Sequence, residues 1–304
     1  MRGWQMRDRT RFLSFVAIAA SVFLTGKVRA AGNEPLRVVT YNIRFGSAND
    51  GPDSWALRRA KVAETIADLD ADIVGLQEAL PFQIAFLLEG SSRYAATGVS
   101  REDGRTDGEA SPILFDRTRF TLADAGTFWL SDTPDEAGTN TWGAACNRVC
   151  SWARLVDLSS GEAFVVLNTH WDHVSQAARE KSAALIRARA VSIASGDRVV
   201  VMGDLNAAEG NPALAVLLGD AGGGARGEAR TIRFVDTYRV VHPEGRAGTY
   251  TGFRLDSDGG TRKIDHVLAG PGWKVRGAGI DRRMIGGRYP SDHFPVWAVL
   301  TPAE

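Results

Sequence analysis

Short apolar runs that end abruptly at a polar, chemically capable residue recur along this 304-residue chain, and they restrict what it can fold into. Leu36 to Thr40 runs into Tyr41-Asn42, Ile73 to Leu76 into Gln77-Glu78, and Val199 to Met202 into Gly203-Asp204-Leu205-Asn206. Runs this short and this apolar read as buried strands, because a helix needs about ten residues or more. Arg148 to Leu158 and Glu162 to Thr169 flank the turn Ser159-Ser160-Gly161 and predict a hairpin. Further strands are predicted at Ile113 to Phe115, Lys263 to Ala269 and Phe294 to Leu300. Between the strands, Trp55, Val62, Ile66 and Leu69 share one helical face, and Ala183, Ile186, Ala190 and Ile193 share another in a helix over 175–194. Strands dominate and helices separate some of them, which is the pattern of an α/β chain with packed sheets and outer helices.

The first thirty residues stand apart. Arg7, Arg9 and Arg11 precede an apolar stretch from Phe12 to Thr25, and Val28 and Ala30 occupy small-residue positions. This is a signal-peptide layout with cleavage expected after Ala30, since 14 apolar residues fall short of the ~20 that span a bilayer. Residues 31–304 then form one domain, periplasmic or secreted, with no membrane span after cleavage. Lys+Arg and Asp+Glu number 36 each, but the leader takes six basic residues and one acid, leaving 30 against 35, or −5. That balance lacks the basic footprint of a general nucleic-acid binder. Cys146 and Cys150 are the only cysteines and cannot complete a tetrahedral zinc site, so they read as a local disulfide or two free thiols. Arg101 to Ala110 and Gly219 to Gly227 read as surface loops.

The strand ends carry the chemistry. Asn42, Glu78, His170, Asp204 with Asn206, Asp265, and Asp292 with His293 all sit at or beside such an edge. Singly, each has a bland explanation as a cap, a turn or a satisfied core residue. Together they suit phosphoester hydrolysis. Glu78, Asp292 and the Asn42 amide are hard oxygen donors that favour Mg²⁺ or Mn²⁺. His170 and His293 are placed to donate to phosphoryl oxygens, and Asp204 to orient an attacking water. No G-x-S-x-G, Walker loop or H-E-x-x-H is present.

The motifs Thr40-Tyr41-Asn42, Leu76-Gln77-Glu78, Asn168-Thr169-His170, Gly203-Asp204-Leu205-Asn206, Lys263-Ile264-Asp265 and Ser291-Asp292-His293 resemble, in order, those of the endonuclease/exonuclease/phosphatase superfamily. The resemblance implies a deoxyribonuclease I-like two-sheet β-sandwich flanked by helices, in four α-β-β-α layers. It also implies Glu78, Asn42 and Asp292 as metal ligands and Asp204 with Asn206 at the attacking water. His293, fixed by Asp265, would contact the phosphate, as would His170, and Glu109 would pair with His170. The stretches Gly126 to Ser131, Trp142 to Ala145 and Thr169 to His173 are similar to a bacterial branch of undefined substrate. Asp172 and His173 are candidates for the pocket rim, with helix capping the alternative for Asp172.

The expected activity is a secreted, divalent-metal-dependent phosphoesterase acting on a phosphodiester or phosphomonoester by in-line attack of water. A small phosphorylated molecule or lipid headgroup is favoured as substrate, and a monomer is expected. An extracellular nuclease and a non-catalytic binding protein are the alternatives, nucleic acid being the partner of the former. Arg282, Arg283 and Arg288 are candidate phosphate contacts, and Trp129, Trp142, Trp152 and Trp171 are candidate stacking residues. His170-Trp171-Asp172-His173 also resembles half of a metallo-β-lactamase zinc motif, but its first histidine is replaced by Asn168.

Overall fold

The computed structural model describes residues 34–220 and 232–303. The expected leader and most of the Gly219–Gly227 loop lie outside the described residues. In chain order the elements are β1 (Leu36–Asn42), α1 (Trp55–Asp68), β2 (Ile73–Gln77), α2 (Pro81–Glu89), β3 (Tyr94–Thr97), β4 (Ile113–Asp116), β5 (Phe120–Trp129), β6 (Val149–Asp157) and β7 (Ala163–His170). They continue as α3 (Gln176–Ala194), β8 (Arg198–Asp204), α4 (Pro212–Leu218), β9 (Val235–Asp236), α5 (Thr237–Val241), β10 (Asp265–Ala269), β11 (Trp273–Ile280) and β12 (Val296–Pro302).

Two six-stranded mixed sheets result, in the orders β11-β12-β1-β2-β4-β3 and β5-β6-β7-β8-β10-β9. The central strands are apolar almost throughout because both their faces are buried. Val38, Ile73, Val166, Val200 and Met202 point into the layer between the sheets. Their neighbours Val39 and Val74 pack outward with α1 residues Val62 and Ile66. On the other side Val165, Leu167, Val199 and Val201 pack outward with Ala183, Ile186 and Leu214 of α3 and α4. This is a four-layer α-β-β-α sandwich. Side-chain oxygens start three of its helices: Ser175 accepts from Ala178 N at 3.2 Å, Asn211 from Ala213 N at 2.9 Å, and Asp236 from Tyr238 N at 3.0 Å.

A polar brace crosses the layer below the site. Gln77 donates to Thr40 Oγ1 (2.9 Å) and Asn168 Oδ1 (2.6 Å), while Asn168 donates to the carbonyls of Leu76 and Pro112. Gln77 and Asn168, which stand beside the candidates Glu78 and His170 in their motifs, thus tie the two sheets together. Both cysteines are free thiols, Cys150 buried within β6. Among the described residues no helix is long and apolar enough to cross a membrane.

Candidate active site

Strand register brings the polar ends together. β1 and β2 run parallel with Asn42 opposite Gln77, and β7 and β8 run parallel with His170 opposite Asp204. β10 runs antiparallel to β8 and sets Asp265 opposite Asp204. β12 is antiparallel to β1, with Val296 opposite Thr40, so the preceding Asp292-His293 arrives beside the end of β1. The chain then turns within one or two residues: Arg44, Glu78 and Asn206 adopt left-handed backbone (φ 56, 57 and 45°) just after β1, β2 and β8. Such conformations are unfavourable outside glycine, and here they re-aim side chains into one cavity. Gly203 permits β8 to approach β7 closely, because a Cβ there would lie 2.0 Å from Thr169 O.

The centre is an acid–imidazole–acid arrangement. His293 Nδ1 donates to Asp265 Oδ2 at 2.9 Å, and its Nε2 lies 3.7 Å from Asp204 Oδ2. Burial alone would lower the pKa of His293, but the Asp265 and Asp204 carboxylates outweigh it and hold the ring well above its ordinary value. Asp204 is pushed up to about 7 by burial and by repulsion from Asp265. Its Oδ1 accepts from Asn206 N and its Oδ2 from Asn42 Nδ2, both at 3.0 Å. His170 differs: burial and then the charges of Arg148 and Arg101 press its pKa well below normal, so it is neutral. Asn206 Nδ2 donates to Trp171 O (3.0 Å) and points at His170 Nε2 (3.1 Å), which fixes that nitrogen as the acceptor. In this arrangement His170 Nε2 is an acceptor, and His293 Nε2 is the imidazole nitrogen that presents a proton toward Asp204.

Glu78 and Asp292 form an acidic end. Burial and the nearby Glu78 raise the pKa of Asp292. Arg44 lies between them, 3.9 Å from Glu78 and 4.0 Å from Asp292, while it pairs with Asp50 at 3.0 Å. Asn42 Nδ2 donates to both Glu78 Oε1 and Asp204 Oδ2 at 3.0 Å, bridging two carboxylates that would otherwise repel. A hard divalent cation fits this donor set of two carboxylates and an amide that would offer its oxygen on a half-turn, where His293, Arg44 and Arg58 supply the nearby positive charge. Asp204, Asp265 and His293 also have ligand atoms within 4.8 Å of one another. There the Nδ1 proton of His293 already joins imidazole to carboxylate, so an ion would have to displace the hydrogen bond.

Other expectations are corrected. Glu109 reaches the cavity wall but receives Arg101 Nη1 and Nη2 at 2.8 and 3.0 Å, while His170 Nδ1 has no partner. The expected Glu109–His170 pair is not formed, because Arg101 in the same loop captures the carboxylate. The two ends of the loop, Arg101 and Glu109, line the site, while residues 103 and 105–107 are exposed as expected of a surface loop. Arg288 is committed to Asp53, Arg283 to Asp281 and Asp68, and Arg282 to the carbonyls of Asp258 and Gly248. The arginines that line the cavity are Arg44, Arg101, Arg148 and Arg262, and none of the four candidate tryptophans does. Asp172 accepts from the backbone of Ala145, Val174 and Ser175, bracing the turn that leads into α3 while Ser175 is the helix cap, and His173 lines the cavity. With Asp172 so engaged, the zinc half-motif has no shared focus.

Two residues had no sequence signal. Tyr250 sets its ring 4.9 Å from that of His293. Buried Arg58 donates to the carbonyls of Arg44 and Asp53 at 2.7 and 2.9 Å, fixing the loop behind Asn42.

The cavity holds about 430 Å³ and joins an acidic end to a basic wall. The profile of the Endonuclease/Exonuclease/phosphatase family matches residues 39–293, which contain every site residue above. The chain belongs to this family. An endonuclease/exonuclease/phosphatase structure from Bacteroides vulgatus is similar at 31% identity, with a TM-score of 0.81, covering 89% of this chain and 100% of that one. A mannosyl-6-phosphatase from Bacteroides thetaiotaomicron VPI-5482 is similar at 28% identity, TM-score 0.75, over 87% and 99% of the two chains. The human Nocturnin catalytic domain with bound sulfate shares the fold at 19% identity, TM-score 0.68, over 88% and 94%. Comparison with functionally curated proteins returned no match. Members of the family hydrolyse phosphoester bonds.

Proposed function

We propose that the chain is an exported, divalent-metal-dependent phosphoesterase that hydrolyses a small phosphorylated molecule by direct attack of water. The observation that carries this reading is the Asp265–His293–Asp204 arrangement facing the Glu78–Asp292 end across one cavity. Asp204, held by Asn42 and Asn206, orients a water and takes its proton; a carboxyl near pH 7 is a better base than an ordinary aspartate. His293, kept protonated by Asp265, donates from Nε2 to the phosphoryl group as negative charge gathers there. His170 and Asn206 shape the same wall. When bound at Glu78, Asp292 and Asn42, Mg²⁺ or Mn²⁺ would offset phosphate charge and polarise the P–O bond.

Three observations support a small substrate over a nucleic acid. The cavity is a pocket of about 430 Å³, its wall lacks tryptophan, and a similar structure is named as a mannosyl-6-phosphatase. Export rests on the leader-like residues 1–30, and the monomer on the sequence reading alone. The test is a screen of the purified mature protein on hexose phosphates, inositol phosphates, sphingomyelin, DNA and RNA, with Mg²⁺, Mn²⁺ or chelator. Metal-dependent release of phosphate from a sugar phosphate is expected. Preferential cleavage of DNA or RNA would replace the substrate assignment, and inactivity on every class would leave a binding protein.

A further inference from the structure

Beside the catalytic cavity lies a second, open concavity of about 510 Å³, lined by Arg246 and the loop 250–262, with Arg246, Arg254 and Arg262 exposed on it. The loop is built rather than slack. Gly248 N donates to Gly260 O at 3.0 Å and Thr249 N to Arg262 O at 3.1 Å, closing its neck. Gly248 is glycine by necessity, because a Cβ would lie 1.7 Å from Gly259 O. The loop is also tied to the catalytic turn, since Thr251 donates to the Asp292 carbonyl from N (2.7 Å) and Oγ1 (3.0 Å). Arg282 braces the neck through the carbonyls of Asp258 and Gly248.

The two cavities are neighbours, because Tyr250 and Arg262 line both. The half-exposed Tyr250 ring stands at their boundary, against His293. Three arginines line that second space: Arg246, Arg254 and Arg262. Asp256 and Asp258 oppose them, but Asp258 is already committed to Gly260 N (2.9 Å) and Arg246 (3.2 Å). Arg262 makes no side-chain hydrogen bond or ion pair among the described residues, and Arg254 only a 3.4 Å contact with Thr251 O. Elsewhere on this rim the fold neutralises its arginines, as with Arg283 and Arg288. Unpaired guanidinium groups facing a cavity match an oxyanion in shape and charge.

We propose that this second cavity is an anion subsite, so that the substrate carries a second negatively charged group besides the phosphoester that is cleaved. This rests on the phosphoesterase reading and narrows it to bis-anionic molecules. The reacting ester lies at His293, the connecting ring passes Tyr250, and the distal phosphate or carboxylate meets Arg246 and Arg254, with Arg262 at the boundary of the two cavities. Only the phosphoester reacts; the distal anion stays bound.

The test compares fructose 6-phosphate with fructose 1,6-bisphosphate in Mg²⁺, on wild type and on an Arg246→Ala/Arg254→Ala double variant, neither residue lining the catalytic cavity. A kcat/KM at least about tenfold higher for the bisphosphate, expressed in KM, is expected in wild type, a difference of roughly 1.4 kcal/mol. The double variant should lose that preference and keep its fructose 6-phosphate kinetics. Equal kcat/KM in wild type, or a preference that survives the double variant, overturns the subsite. If neither compound is hydrolysed, the phosphoesterase reading rests on the full substrate screen, and calorimetric titration with the same pair decides the subsite independently. Tighter binding of the bisphosphate that is lost in the double variant supports it, and equal binding overturns it.

Discussion

His293 and Asp265 come from different strands' ends yet share a proton at 2.9 Å, with neither side chain more than 5% exposed. That bond orients the ring and keeps its far nitrogen protonated toward Asp204. Asp265→Asn preserves the shape but removes the charge. We expect kcat to fall about 10²- to 10⁴-fold, the range of a general acid–base contribution, with little change in Tm. Steady-state kinetics and thermal unfolding of the variant check this.

Asp204 should titrate near pH 7 in metal-free protein, as burial and Asp265 demand. The base is its ionised form, so kcat/KM should rise as pH passes upward through its midpoint. A nearby divalent cation favours the carboxylate and should move that midpoint below 7. Carbon NMR of the Asp204 carboxyl, with and without Mg²⁺, reads both values.

Metal binding at Glu78 and Asp292 should stabilise the fold by mass action. At a hundredfold excess over Kd the gain is about 2.7 kcal/mol, seen as a higher Tm. A Glu78→Ala/Asp292→Ala variant should lose the Mg²⁺-dependent shift, which differential scanning calorimetry measures.

The sequence makes the catalytic end of the sandwich readable because its central strands are buried on both faces. Each appears as an apolar run, and the polar residue that ends it is conspicuous: Asn42, Glu78, His170, Asp204. The four strands without a clear signal, β3, β5, β9 and β11, are the edges of the two sheets. One-sided burial leaves β5 and β11 with mostly exposed or half-exposed residues, and β9 has only two residues. Pairings set by loops were equally hidden. Arg101 capturing Glu109, Arg44 between Glu78 and Asp292, and Tyr250 against His293 depend on how separate segments return to the site, which no local pattern records.

Lys263 is fully buried and donates to Asp236 at 2.5 Å, beside His266 at 2.7 Å. Lys263→Met leaves Asp236 without its main cation and should cost about 3–5 kcal/mol. Burial would raise the Asp236 pKa, but His266 and Lys263 hold it well below the carboxylate range. Its folded pKa is depressed, so this contribution is present above its unfolded value of about 3.9 and lost as pH falls below it. Urea unfolding at pH 7 and in the acid range should show both effects.

The most direct measurement is phosphate release from a sugar phosphate in Mg²⁺ by wild type and Asp204→Asn, each shown to be folded by circular dichroism. Wild-type turnover with a loss of at least about 10³-fold in the variant, at equal Tm, is the expected result. A folded Asp204→Asn protein that keeps activity within tenfold of wild type would contradict the assignment of Asp204 as the base.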